Sequence, residues 1–197
     1  MVKELNTTYE VCSDACNVQA MAVEQSWLCD EYVEEVLLKH VQLWLKLFVH
    51  YADVANPLKK FEVNRVWAMR VVDECFQQGD EEKERKLPIG MLNDRNKVSR
   101  PGAEHGFIVF LVSPLVIATA HLFPMTSCYA EQLSSNLEAW LKVWIEEAQP
   151  DPEDVKKRES DVKKLKDQVS KLMQPIEEER MPSMIVRQRR GSLGSAV

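Results

Sequence analysis

The chain has 197 residues, 45% hydrophobic and 28% charged, which is enough for one buried core and short of what two would need. A net charge of −6 with no broad basic face argues against a nucleic-acid binder that works through phosphate contacts. Five cysteines are an odd number without a disulfide-framework spacing, so the expected compartment is the reducing cytoplasm.

Residues 1–20 carry acids and polar groups where a secretory signal has an apolar core. Cys12 and Cys16 fit one helix face, yet no histidine cluster accompanies them, and they read as ordinary thiols. Val33, Val36, Leu37, Val41, Trp44, Leu45 and Phe48 recur at helical spacing. Asn56-Pro57 ends that helix, because the residue before proline avoids the α region. A second amphipathic helix is expected from about Phe61 to Gln78, with Gly79 as its C-terminal signal. The charged segment 80–103, with Pro88, Gly90, Pro101 and Gly102, reads as a long loop holding at most a turn of helix.

An apolar helix follows from Glu104. Its stretch Gly106 to Phe123 approaches the length of a membrane span but contains Ser113, Pro114 and His121, so a helix buried on all sides within a folded core is expected and no span. A further helix runs from about Thr126 to Glu147 with Leu133, Leu137, Trp140, Leu141 and Trp144 on one stripe. No stretch alternates with period two long enough to demand a strand, so the fold class is all-α. Gln149-Pro150-Asp151-Pro152 closes the globular part. Beyond it Val155, Val162 and Val169 repeat every seven residues, and Leu165 and Leu172 fill the complementary seam. This is either a short coiled coil, interrupted by Arg158 and able to form a dimer, or a solvated charged helix lying on the domain. After Met173 the chain turns polar, and residues 176–197 read as a disordered tail.

The residues that carry chemistry lie at His50-Tyr51-Ala52-Asp53-Val54-Ala55-Asn56-Pro57, where an apolar helix ends by presenting an imidazole, a carboxylate and an amide. Asp53 reads two ways. A buried carboxylate is paired or bound to a cation, for which oxygen ligands suit magnesium or zinc; the plainer alternative is a cap on the next turn.

That octapeptide resembles the His-x-Ala-Asp-(Leu/Ile/Val)-x-Asn-Pro signature of class I cyclic-nucleotide phosphodiesterases. Further blocks follow in the same order: Trp67 through Asp80 resembles the family's Trp-x6-Glu-Phe-Phe-x-Gln-Gly-Asp helix, Asn93-Asp94-Arg95 its Met-Cys-Asp-Arg turn, Gly106-Phe107-Ile108 its Gln-Val-Gly-Phe-Ile segment, and Ser113-Pro114-Leu115 its His-Pro-Leu. The similarity covers about residues 32–144. It implies a partial catalytic domain over 1–148, then a charged helix or short coiled coil at 149–175 and the tail.

The resemblance implies an all-α domain that hydrolyses the 3′,5′-cyclic phosphate of cAMP or cGMP, with zinc and magnesium held by two histidines and two aspartates. Residue by residue, it makes Asp53 a metal ligand and Asn56 an amide contacting the base. Phe107 and Val71 become the two faces of a purine clamp, and Glu104 stands where the family has a base-reading glutamine. Cys75 and Val116 replace family aromatics. The family's His-Asn-x-x-His and His-Asp-x-x-His blocks are absent: His40, His50, His105 and His121 are isolated. The expectation is therefore a segment of a longer enzyme that supplies the nucleotide pocket and one metal ligand but is inactive alone. The alternative is a non-catalytic, phosphodiesterase-like binding or regulatory module. In the tail, Arg189-Arg190-Gly191-Ser192-Leu193 resembles a substrate of cAMP-dependent kinase, with Ser192 as acceptor; a short basic motif arising by chance is the plain reading.

Overall fold

The computed structural model describes Lys3 and residues 38–191, with side chains to Met173 except that of Pro124. Cys12, Cys16, Val33, Val36, Leu37 and Ser192 lie outside the described residues. The order is α1 (Val41–Asp53), a 3₁₀ turn (Asn56–Leu58), α2 (Phe61–Glu84), α3 (Arg100–Phe107), a π-helical segment (Ile108–Val112), α4 (Ser113–Leu122), a 3₁₀ turn (Pro124–Thr126), α5 (Ser127–Ala148) and α6 (Pro152–Gly191). No strand occurs among the described residues, and the all-α expectation holds.

The core is centred on α5. Leu133, Leu137, Trp140, Leu141 and Trp144 are all buried, as their spacing requires, and close against Ile108, Val112 and Val116. A smaller cluster joins Trp44 and Leu47 of α1 to Leu115, Ala118 and Leu122 of α4. The expected α1 stripe is only partly buried. Trp44 lies inside, whereas Val41, Leu45 and Phe48 are exposed, because α1 is apolar nearly all round and spacing alone cannot choose its face.

Gly79 does not end α2. The helix passes through it to Glu84 and stops in a Schellman motif, with Leu87 N–H donating to the Glu82 carbonyl at 2.8 Å and Lys86 N–H to that of Lys83 at 3.1 Å. Lys86 takes the left-handed position at φ 57°. Glycine serves another purpose at 79: a Cβ there would meet the Asn93 carbonyl oxygen at 2.0 Å, so its absence lets the following loop lie on the helix. The Glu82 carboxylate accepts from Gly90 N–H and Asn93 Nδ2, Arg95 pairs with Asp80, and the guanidinium groups of Arg95 and Arg100 sit 5.5 and 5.1 Å from the Phe76 ring. The loop is therefore shorter than segment 80–103 at both ends.

The apolar helix starts at Arg100, four residues before its expected start, with Ser99 as N-cap accepting from Gly102 N–H at 3.4 Å. By length and composition Arg100–Leu122 could cross a membrane, with mean hydropathy 1.8 over its most apolar window. Ile108, Val112 and Val116 are completely buried, which accounts for that character, but Phe110 and Leu111 are exposed, so the helix is covered on one side rather than on all. Pro114 lacks an N–H and crowds the preceding turn; the widened π turn accommodates it, with Ser113 N–H reaching back to the Ile108 carbonyl.

The heptad stripe is used within the chain. Val162, Leu165 and Val169 are buried in the main core, α6 packs chiefly on α5, and a second copy has no access to that seam while α6 is docked. The backbone of α6 stays helical to Gly191, where disorder was expected from 176. That stretch is rich in Glu, Arg, Met and Gln, which favour helix, and Pro175 and Pro182 interrupt its hydrogen bonding without ending it.

Alanine at Gly79 should lower stability by about 2 kcal/mol or more despite its better helix propensity, because backbone must move to admit the methyl group. Glycine at Lys86 should raise it by about 1 kcal/mol by relieving the left-handed residue. Urea unfolding of the two variants gives opposite shifts in midpoint.

Candidate purine-reading site

Buried positions on α2 are Asn64, Ala68, Val72, Phe76 and Gly79, spaced along one face. The first is polar, and an amide completely shut from water has to be hydrogen-bonded. Its Oδ1 accepts from Trp140 Nε1 of α5 at 2.7 Å, and its Nδ2 donates to Glu104 Oε1 of α3 at 3.0 Å. Three helices thus meet in one chain of polar contacts. Phe61 packs edge-on against Trp140 with ring centroids 5.4 Å apart, closing the apolar wall around it.

Glu104 is 4% exposed. Burial pushes its carboxyl up to about 6, and the Asn64 hydrogen bond partly offsets this by favouring the ionised form. At neutral pH it is an ionised carboxylate with one protein donor on Oε1, a group that can only accept. Phe107 lies three residues on, close to one turn along α3, half-buried against the core. Val71 is on the outward side of α2, 46% exposed.

Asn56 opens the 3₁₀ turn, which Asn136 of α5 fixes by donating from Nδ2 to the carbonyls of Pro57 at 2.6 Å and Lys59 at 2.7 Å. Asn56 Oδ1 is buried without a hydrogen-bond partner, an unsatisfied acceptor. Nearby Tyr51 also keeps a buried hydroxyl without a partner, and burial, followed by Tyr129 and Cys128, pushes its phenol up.

Asp53 is not buried as its place in an apolar run suggested. It is exposed, on an open groove of about 990 Å³ along α1 with Leu45, Val49 and His50. That groove takes in none of Asn56, Val71, Glu104 or Phe107. Among the described residues no three His, Cys, Asp or Glu side chains converge on a possible metal position. A hydrolytic zinc needs about three protein ligands, so these residues by themselves do not fit the zinc and magnesium pair.

Asn64 and the role of Trp140 were missed in the sequence. The signal was there: Asn64, Ala68, Val72 and Phe76 fall at intervals of four on one helix, which puts the amide in line with core positions.

Two variants isolate this chain of contacts. Asn64→Ala leaves Trp140 Nε1 and Glu104 without their partner and should cost about 2–4 kcal/mol. Glu104 binds a proton more tightly folded than unfolded, so its burial opposes folding increasingly as pH rises from the ordinary carboxylate value through about 6, and imposes no penalty below that window. Glu104→Gln should therefore add about 2 kcal/mol above pH 6 and nothing near pH 4. Thermal and urea melts across that range measure both effects.

Residues 5–133 match the family described as 3′5′-cyclic nucleotide phosphodiesterase. Among curated relatives, the chain is 37% identical over 108 residues to a probable 3′,5′-cyclic-AMP phosphodiesterase of Caenorhabditis elegans, a match covering 54% of this chain and 16% of that protein. It is 33% identical over 95 residues to 3′,5′-cyclic-AMP phosphodiesterase 4 of Dictyostelium discoideum, covering 48% and 9%. To the human high affinity cGMP-specific 3′,5′-cyclic phosphodiesterase 9A it is 33% identical over 87 residues, covering 44% and 15%. The matched part thus spans about a sixth or less of each of these relatives. On the match over 5–133, with its ordered set of motifs on an all-helical frame, the chain belongs to the 3′5′-cyclic nucleotide phosphodiesterase family.

Proposed function

We propose that this chain forms the purine-binding part of a cyclic-nucleotide phosphodiesterase that cleaves the 3′,5′-cyclic phosphate of cAMP or cGMP, and that it contributes one metal ligand, Asp53. The observation that carries the reading is the buried chain from Trp140 through Asn64 to Glu104, which holds a carboxylate at the position where the family reads the base. Phe107 and Val71 supply the two faces on which a purine stacks, and the unpartnered Asn56 Oδ1 accepts from the base. Zinc and magnesium require further ligands beyond Asp53. All four histidines fall among the described residues without converging. That count favours a second reading of the chain taken alone, a module that binds nucleotide without hydrolysing it.

An ionised Glu104 accepts two donors together, which the guanine edge offers through N1–H and N2–H₂ and the adenine edge does not. The expected preference is for cGMP, and it weakens as Glu104 takes up a proton below about pH 6. Glu104→Gln should narrow the cGMP-to-cAMP affinity ratio by about fivefold to tenfold, corresponding to about 1 kcal/mol. Calorimetric titration of the chain with each nucleotide measures the ratio; an unchanged ratio removes Glu104 from the site. Supplied with zinc and magnesium, the chain should turn over neither nucleotide. Turnover abolished by Asp53→Ala would show that other residues of this chain complete the metal site.

We further propose that Ser192 is phosphorylated by a cAMP-dependent kinase, supported by Arg189 and Arg190 at the spacing such an enzyme grips with carboxylates. Phosphate would add about −1.5 to −2 charges beside three arginines. Mass spectrometry after treatment with the kinase should find the added group on Ser192, and an unmodified Ser192 beside a fully phosphorylated control peptide would refute it.

A further inference from the structure

Glu104 and its neighbour His105 are both 4% exposed, yet they leave α3 in different directions. Glu104 meets α2 through Asn64. His105 instead lines a cavity of about 320 Å³ with Gly102, Phe110, Trp144, Asp154 and Arg158, so its other walls come from the π segment, α5 and α6. Arg158, the residue that breaks the heptad pattern of α6, is the centre of this contact. Its guanidinium carbon lies 4.1 Å from the Trp144 ring centroid, a stacked cation–π arrangement. A Cβ at Gly102 would come within 3.2 Å of Arg158 Nη2, so the bare glycine backbone makes room for the guanidinium against α3. The His105 imidazole lines the same cavity as Arg158, and its Nε2 and the Arg158 Nη1 are both buried without a hydrogen-bond partner.

The charges around this contact nearly cancel. Lys157 and Arg158 face Asp154 and Asp161 from the same helix, while burial, helped by the Arg158 charge, pushes His105 down to about 4 and leaves it neutral. The contact is held by stacking and shape more than by an ion pair. α3 is the N-terminal end of a helical run continuous to Leu122, so its C-terminal end is fixed by the chain while its first turns are held by what packs on their sides. Asn64 grips one side and Arg158 the other.

We propose that Arg158 is a positioning residue for the purine-reading edge: stacked on Trp144 and seated against Gly102 and His105, it holds the first turns of α3 against α5, and with them the placement of Glu104 and Phe107. The assignment of that edge rests on the function proposed above, whereas the clamp itself does not. Loss of the planar fork loosens the first turns of α3 from α5 and admits water to Glu104. Lysine cannot replace it, since it lacks the flat face that stacks on Trp144. Removing Arg158 thus alters the carboxylate at a distance, without touching it.

The test uses the full chain and two readouts, the titration midpoint of the Glu104 carboxyl by carbon NMR and the cGMP-to-cAMP affinity ratio. Arg158→Met keeps an apolar cover on Trp144 so that α6 stays docked, and Arg158→Lys keeps the charge. Val162→Ala is the control, loosening α6 one turn further along. Both Arg158 variants should bring the Glu104 midpoint down by about one pH unit toward the ordinary carboxylate value, and narrow the nucleotide ratio. Val162→Ala should lower the melting temperature and leave the midpoint in place. An unchanged midpoint in the Arg158 variants, or an equal change in Val162→Ala, overturns the clamp. A midpoint that moves while the nucleotide ratio stays fixed upholds the clamp and refutes the purine-reading role of Glu104.

Discussion

A carboxylate taken out of water is the constraint on which this helical domain turns. Glu104 remains ionised at neutral pH although almost wholly buried, and an ion in that position is tolerated only with a donor aimed at it. Asn64 is that donor, and an amide serving a buried charge needs its own oxygen satisfied, which commits Trp140. One unfavourable group thereby dictates the facing residues of α2 and α5. An apolar residue at 104 would release all of these positions from their present identity.

The polar chain divides the main core from the exposed face of α1. Behind it, α5 carries the apolar stripe that organises the main core, and α6 adds Val162, Leu165 and Val169, side chains whose burial contributes about 1.5–3 kcal/mol each. Toward the surface, α1 exposes Leu45, Phe48, Val49 and Asp53. Asn136 links the two sides, reaching from α5 to hold the carbonyls of the turn.

The helices themselves were legible in the sequence wherever an apolar stripe was bounded by polar faces, as for Leu133 through Trp144. Legibility failed where one residue type serves several purposes. Gly79 carries the signal of a helix end but answers to a carbonyl from Asn93, a contact of the tertiary structure that no local pattern contains. Val162 and Leu165 have the spacing of a seam between chains, and only the docked position of α6 reveals that the seam is internal. In the site, Asp53, Asn56, Val71, Glu104 and Phe107 were picked out by resemblance, but their differing burial was not, because exposure depends on which helices cover them. Asn64 was readable from its place in the buried row; Arg158 was not, since a charge in a heptad looks the same whether it faces water or an indole.

The π segment places one extra residue in the turn between Phe107 and Ser113. Each residue of an α-helix advances the chain by about 100°. Everything before the segment is therefore phased by about that angle relative to an unbroken helix through Leu122. With that offset Glu104 points at Asn64 while Leu115 and Val116 point into the core. The single surplus residue acts as a fixed angular coupling between the buried carboxylate and a packing surface. Losing it would turn one against the other without changing any side chain in either.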